Sequence, residues 1–495
     1  MHAGDQISVG RGDGHRAHHR IAAKEGASAL NFGHSPAVID FWQRVVRDAV
    51  ALSTPTPFYI FSALPIAERI SELDQALVAA GLQPAIDPGG VSGEIGDGNP
   101  PSFHSGTASP QSKIVCRHWL SCKTQPVAPV LRWWRTQGRP IEVVSEFELR
   151  AALAEGFEPQ NILVNGPAKH HWLPRACGVA VSGPARRRGI SSRARPAAGA
   201  PSGGNLSVNF DSPAELAALL PLAKKLNWRC GVRVNTSEEF DPENPQFATQ
   251  FGFAPVEAVT ALKQLRRAKA RLETVSFHLR TNVSSGQCYQ RAIAETAEIC
   301  RAAKFHPRFL DVGGGVPARH VLSRGGKVFD GEFSLRAFAE MLRRAAREFP
   351  GLREIWLENG RFVSGSSGVL VVKILDVKER RGLRQLICDG GRTLNALTSL
   401  WEQHRLLPLS ERAGARVLTT VHGPTCMAFD QLARIPLPRS LRAGDQLIWL
   451  EAGAYHISWE TRFSHGPAAV LWHDQQGLRV ARERQDFESF WGPWK

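Results

Sequence analysis

One lysine, one histidine, a run of three glycines and a Glu-Asn-Gly-Arg tetrapeptide hold the chemistry this sequence can perform: Lys123, His278, Gly313-Gly314-Gly315 and Glu358 to Arg361. A lysine amine that loses its proton when partly buried attacks an aldehyde to give a Schiff base. Consecutive glycines let backbone amides approach phosphate oxygens closely, and an arginine adds a bidentate fork. A glutamate beside a ring nitrogen keeps that nitrogen protonated, so the ring acts as an electron sink. A histidine can stack on the face of such a ring. Each element alone has an ordinary explanation: Lys123 and ENGR as surface residues, GGG as a turn, His278 as a satisfied core histidine. Together they suit a phosphorylated pyridine aldehyde, pyridoxal phosphate, held at Lys123.

The elements that must position these residues are short β-branched runs alternating with amphipathic stretches. The runs fall at 114–123, 141–145, 161–167, 205–212, 230–235, 274–280, 308–315 and 354–361. Asp211-Ser212-Pro213 places a cap and a first-turn proline ahead of one apolar-periodic stretch. Alternating βα units with nearly all-apolar strands require a parallel sheet covered by helices, and eight units close a barrel. The weakest unit is the helix after the third strand. Each strand is apolar until its last residues, which are Lys123, Ser145, Asn165, Asp211, Arg233, His278, the triple glycine or Glu358 to Arg361. Polar groups gathered at the C-terminal ends of barrel strands mark a catalytic face. After Arg361 the runs GVLVVKILDVKER, RQLICDGG, ARVLTTVHGP, DQLIWLEAGA and AAVLWHD read as antiparallel strands, with PFYIFS (57–62) as an early addition. The expected fold is therefore α/β: a (β/α)8 TIM-type barrel plus a C-terminal antiparallel β-domain.

At 495 residues the chain exceeds one compact core. The expected layout is a disordered basic tail over 1–28, a segment 29–64 contributing to the β-domain, the barrel over 65–365, and the β-domain over 366–495. Two Gly/Pro/Ser- or Arg-rich stretches, 87–112 and 177–204, read as loop insertions. No apolar run reaches the roughly 18 residues of a membrane span, and no apolar segment follows the basic N-terminus, so neither membrane association nor secretion is expected. Eight scattered cysteines without a CxxC pair disfavour a zinc site or a disulfide framework; no metal is expected, and a reducing cytoplasm fits. The net charge of +15 sits largely in the tail and the second insertion, without interleaved aromatics, so nucleic acid is not an expected partner.

The motifs, in order, resemble the fold-type III pyridoxal-phosphate decarboxylases, the ornithine/diaminopimelate/arginine decarboxylase group with the alanine-racemase-like fold. SCKTQP (121–126), VSEFEL (144–149), NILVNGPAK (161–169), VNFDSPAEL (208–216), VSFH (275–278), LDVGGGVP (310–317), ENGR (358–361), HGPTCMAFD (422–430) and EAGAY (451–455) carry the resemblance across roughly 55–470. It implies pyridoxal phosphate as cofactor and a homodimer with shared active sites. Lys123 is then the Schiff-base lysine, His278 the ring-stacking residue and Glu358 the pyridinium partner. The phosphate falls to Thr281, Gly313, Gly314, Gly315, Gly360, Arg361 and Tyr455. Glu148 and Arg233 match supporting positions. Cys426 matches the cysteine that enters from the partner subunit and returns a proton to the substrate carbon after CO2 leaves.

Three departures bear on specificity. The family's small residue after the sixth-strand histidine is replaced in His278-Leu279-Arg280-Thr281, where Arg280 can serve the phosphate or an anionic substrate. Asn359 stands where the family has proline. Met427 and Ala428 follow Cys426 where an acidic residue is usual, and an unpaired buried ammonium is costly; Asp430 lies further on, and Arg392 offers a guanidinium to a substrate carboxylate. The expected reaction is therefore α-decarboxylation of an amino acid or conjugate with a neutral or acidic far end, as in specialised-metabolite or siderophore biosynthesis. Alternatives are an inactive regulatory homologue and a racemase or epimerase; the latter needs a tyrosine acid/base, and the chain has only Tyr59, Tyr289 and Tyr455.

Overall fold

The computed structural model describes residues 31–85, 114–178, 203–240 and 250–495. The basic tail over 1–28 lies outside the described residues, as do the insertions 87–112 and 177–204 except at the margins of the second. Eight parallel strands form the first domain: Val115–Ser121, Ile141–Val143, Ile162–Val164, Ser207–Phe210, Arg229–Arg233, Leu272–Ser276, Phe309–Asp311 and Glu354–Asn359. The last pairs back onto the first, Glu354 opposite Val115 through Asn359 opposite Leu120, and this closes the barrel. All eight lie where the sequence places them.

Serine caps tie strand ends to helix starts. Ser145 Oγ accepts from the Glu148 amide at 3.2 Å, and Glu148 Oε2 accepts from the Val144 amide at 2.7 Å. Ser212 and Glu215 repeat this at the start of Pro213–Lys225, where Glu215 Oε1 accepts from the Asp211 amide at 3.0 Å. Both are capping boxes whose glutamate reaches one residue further back than usual. The third unit holds only the four-residue helix Leu173–Ala176 before the chain leaves the described residues. The eighth strand is followed by another four-residue helix, Arg361–Ser364. Helix Ala63–Ala79, which precedes the first strand, packs on Leu335–Ala345 and completes the outer ring in its place.

The β-domain differs from its expected form: its sheet is mixed, not antiparallel. Phe58–Ser62 lies between Gly368–Arg380, to which it is antiparallel, and Ala469–Asp474, to which it is parallel. Leu383–Cys388 is likewise parallel to Arg416–His422. Parallel neighbours need a long crossover, and both cases have one: the whole barrel separates the first pair, and 389–415 separates the second. Strand Gln431–Pro438 escaped the sequence reading because prolines argue against a strand; it lies at the end of the sheet order, where a missing ladder donor is tolerated. Helix Pro36–Ala51 packs Trp42, Val45, Val46 and Ala49 onto Phe58, Ile60, Val369 and Val371. Among the described residues no helix is long and apolar enough to cross a membrane.

Candidate active site

Lys123 sits in the single turn Cys122–Thr124 that ends the first barrel strand. Its Nζ is 3.1 Å from Glu142 Oε2, a carboxylate that also accepts from Ser121 Oγ at 2.6 Å. Burial works against the ammonium, but Glu142, then Tyr455 and Glu358, hold Lys123 above the usual lysine range. Glu148 lies close by; burial, and secondarily the charge of Glu142, pushes its carboxyl up to about 7 although the Val144 amide works the other way.

Glu358, at the end of the eighth strand, is the hub of a buried polar layer across the barrel. Its Oε1 accepts from Asn165 Nδ2 at 2.5 Å; Asn165 Oδ1 accepts from Asn209 Nδ2 at 3.0 Å, which also donates to Asp311 Oδ2 at 2.9 Å. Burial favours a neutral Glu358, but the hydrogen bond and charge of His278, then Lys123 and Arg233, outweigh it and hold the carboxyl at about 2. Asp311 goes the other way: burial and the charge of Glu358 push it up. The layer depends on Gly231, where a Cβ would run into Asn209 Oδ1 and stand 2.9 Å from Thr274 Cβ. Gly231→Ala is expected to displace Asn209 and destabilise the fold by about 1–3 kcal/mol, seen as a lower denaturant midpoint. An unchanged midpoint would show that the layer has slack.

His278 Nδ1 is 3.0 Å from Glu358 Oε2 and 3.2 Å from the Gly314 amide nitrogen. One nitrogen cannot donate to the first and accept from the second. With Glu358 ionised, the proton belongs on Nδ1, and the Gly314 amide is the group left to seek an anion. The triple glycine is required by space: a Cβ on Gly313 would stand 2.7 Å from His278 Nδ1 and from Phe277 O, one on Gly314 2.7 Å from Glu358 O, and one on Gly315 2.8 Å from Arg280 O. Gly313 and Gly315 also have positive φ, +65° and +100°.

Arg361 opens the next turn. Its Nε donates to Thr281 Oγ1 at 3.0 Å, Nη1 pairs with Glu402, and the guanidinium carbon lies 4.9 Å above the Tyr455 ring. Tyr455 is anchored by its amide on Thr124 O at 2.7 Å, beside Lys123, and a Cβ on Gly360 would come 3.8 Å from its hydroxyl. The structure thus brings together Lys123, His278, Thr281, Gly313, Gly314, Gly315, Glu358, Gly360, Arg361 and Tyr455. An amine, a buried anionic carboxylate, a guanidinium and a glycine turn too tight for any Cβ are the donor set that pyridoxal phosphate requires, and these residues fit it.

Other expected site residues spend their side chains on partners of their own. Arg280 Nη1 donates to the Glu238 carbonyl at 3.0 Å and Nη2 reaches Cys288 Sγ at 3.8 Å, so its side chain is engaged along helix Gly286–Ala303. The Asp430 carboxylate serves as an internal clasp. It is buried, and accepts from the Arg392 amide at 2.7 Å, the Thr425 amide at 3.1 Å and Thr425 Oγ1 at 2.5 Å, packed where Gly391 and Gly423 leave no Cβ. Cys426 and Phe429 are exposed on the loop this clasp holds, and the Arg392 guanidinium stacks 4.6 Å over Phe429. Arg233 stacks 4.6 Å over Phe251, with Glu239 at 3.8 Å and Asp211 at 4.0 Å. Asn359 earns its departure from proline: it is buried and donates to His118 Nδ1 at 2.8 Å, which proline cannot do. The sequence reading missed Glu142, Asn209, Asp311 and Glu402. A charged residue inside an apolar strand signals the first and third; nothing local signals Glu402.

The family described as pyridoxal-dependent decarboxylase, pyridoxal binding domain, matches residues 117–365, half of the chain. A diaminopimelate decarboxylase of Deinococcus radiodurans is 28% identical over 376 residues, covering 75% of this chain and 88% of that protein. One from Actinosynnema pretiosum is 27% identical over 378 residues, covering 72% and 77%. In fold, the chain is similar to diaminopimelate decarboxylase from Helicobacter pylori complexed with L-lysine, with a TM-score of 0.69 at 20% identity over 90% of this chain and 99% of that one. It is also similar to the Paramecium bursaria Chlorella virus arginine decarboxylase, with a TM-score of 0.63 at 17% identity over 87% and 100%. The chain belongs to the pyridoxal-dependent decarboxylases, and is a pyridoxal-phosphate amino-acid decarboxylase of the diaminopimelate, ornithine and arginine type.

Proposed function

We propose that the enzyme removes the α-carboxylate of an amino acid, or amino-acid conjugate, whose far end is neutral or acidic. The observation that carries this is the convergence of Lys123, His278, Glu358 and Arg361 on one barrel mouth, with Glu358 held ionised. Pyridoxal phosphate supplies an electron sink for the bond to CO2. Lys123 anchors it through its amine, and Glu358 holds a proton on the ring nitrogen. Thr281, Arg361 and the glycine turn take the phosphate, while His278 covers a ring face. Cys426, exposed on the β-domain, delivers a proton to the α-carbon from a second copy of the chain in a homodimer.

The three tyrosines support decarboxylation over racemisation. Tyr59 and Tyr289 are buried, donating to Leu394 O at 2.6 Å and Gly314 O at 2.7 Å, and Tyr455 lies under Arg361. None is exposed on the β-domain to act as a second acid/base. Beside Cys426 stand Met427, Ala428 and the Arg392–Phe429 stack, while the Asp430 carboxylate is already spent. Among the described residues beside Cys426 a cationic substrate tail finds no unengaged anion, whereas a carboxylate finds Arg392. CO2 release across a panel of amino acids is expected to favour neutral or acidic side chains, and Arg392→Ala to raise KM for an acidic one by about tenfold or more. Strong selectivity for ornithine or lysine would refute this substrate class.

A further inference from the structure

Arg361 reaches the mouth of the barrel already bound on three sides, by Thr281, by the Tyr455 ring and by Glu402. Glu402 is unusual company for a phosphate ligand, since its charge opposes the one the phosphate needs. It is buried, 2% exposed, and its other oxygen lies 2.9 Å from His404 Nε2. Its backbone is fixed as well: Glu402 pairs with Ser323 and Gln403 with Leu322 in a two-stranded ladder. Burial favours the neutral acid, but Arg361 and then His404 overcome it and hold the carboxyl at about 2. Among the described residues no hydrogen bond engages Arg361 Nη2.

We propose that Glu402 is the positioning residue of the phosphate clamp: it holds the Arg361 guanidinium by one edge so that the Nη2 edge faces the glycine turn. This rests on the reading of Arg361 as the phosphate ligand. A free arginine side chain samples many rotamers, and a planar fork binds phosphate well only when aimed. Pairing with Glu402 fixes that aim and leaves the clamp with no net charge, so holding the phosphate falls to directed N–H groups.

Charge and geometry make opposite predictions for Glu402→Gln, which keeps the shape and removes the negative charge. If Glu402 served only to balance charge, the variant would bind pyridoxal phosphate more tightly. Positioning predicts weaker binding, with a dissociation constant raised about tenfold or more, while phosphate-free pyridoxal binds as before. Both constants are read by titrating the cofactor-free protein, whose thermal midpoint checks folding; Glu402→Asp serves if the glutamine variant does not fold, and by shortening the reach it too weakens only the phosphorylated ligand. In an Arg361→Gln background, Glu402→Gln should then add nothing. Unchanged or tighter binding in Glu402→Gln, equal losses for both ligands, or additive losses in the double variant would overturn the proposal. Unchanged binding in Arg361→Gln alone would instead overturn the reading of Arg361.

Discussion

Lys123→Ala is expected to lower kcat by at least about a thousandfold, because the amine that ends the first barrel strand and faces Glu142 and Tyr455 is gone. The visible absorbance of lysine-bound cofactor disappears with it. Without cofactor the variant is also less stable, by about 1–3 kcal/mol, since Glu142 retains the Ser121 hydroxyl but loses its cation. The sign follows from the raised lysine value: the ion pair stabilises fully below the ordinary lysine range and is lost as pH rises through the higher folded value. The gap between wild type and variant therefore closes only in strong alkali. A variant that retained both colour and turnover would place the anchoring amine elsewhere.

The second large effect separates two carboxyls of one buried layer. Glu358→Gln should reduce kcat by roughly a hundredfold to a thousandfold, the usual cost of removing a preorganised charge from a reacting centre. Asp311→Asn should stay within about tenfold, because burial and the neighbouring Glu358 charge already disfavour the Asp311 anion, a charge that asparagine also lacks. Their acid responses differ in sign. Glu358, depressed to about 2 from 4.5, contributes stability that is full above its ordinary value and lost as pH falls toward 2. Asp311, raised above 3.8, has its most favourable state below that value and costs stability above it. Denaturant midpoints between pH 3 and 7 should accordingly flatten in Glu358→Gln and steepen in Asp311→Asn. Equal losses of turnover in the two variants would mean that Glu358 is not the distinguished charge.

The barrel was legible because its strands are buried on both faces, so each appears as an apolar run with polar residues confined to its end. The same rule put Lys123, His278, Glu358 and Arg361 at one mouth before any geometry was known. Glu142 and Asp311 do stand out as charges inside apolar runs, but the rule does not say what such a charge does; it looks the same whether it serves a layer or an exposed edge. Strand direction in the β-domain was also hidden, since alternation and turn residues report that a strand exists and say nothing of which distant strand it joins. Arg280 and Asp430 mark a third limit. A charged residue next to a functional motif in sequence spends its side chain wherever a partner is nearest, and for these two the partners are Glu238 O and Thr425.

The placement of Phe58–Ser62 between Gly368–Arg380 and Ala469–Asp474 has a consequence for how the protein is made and cut. The barrel is a guest threaded into its host: the smaller domain begins before it and ends after it. A ribosome must release the chain through Asp474 before the host sheet can acquire its last parallel neighbour. Expressing 366–495 by itself would leave a slot in the middle of the sheet, and supplying a peptide spanning 31–62 in trans should fill it.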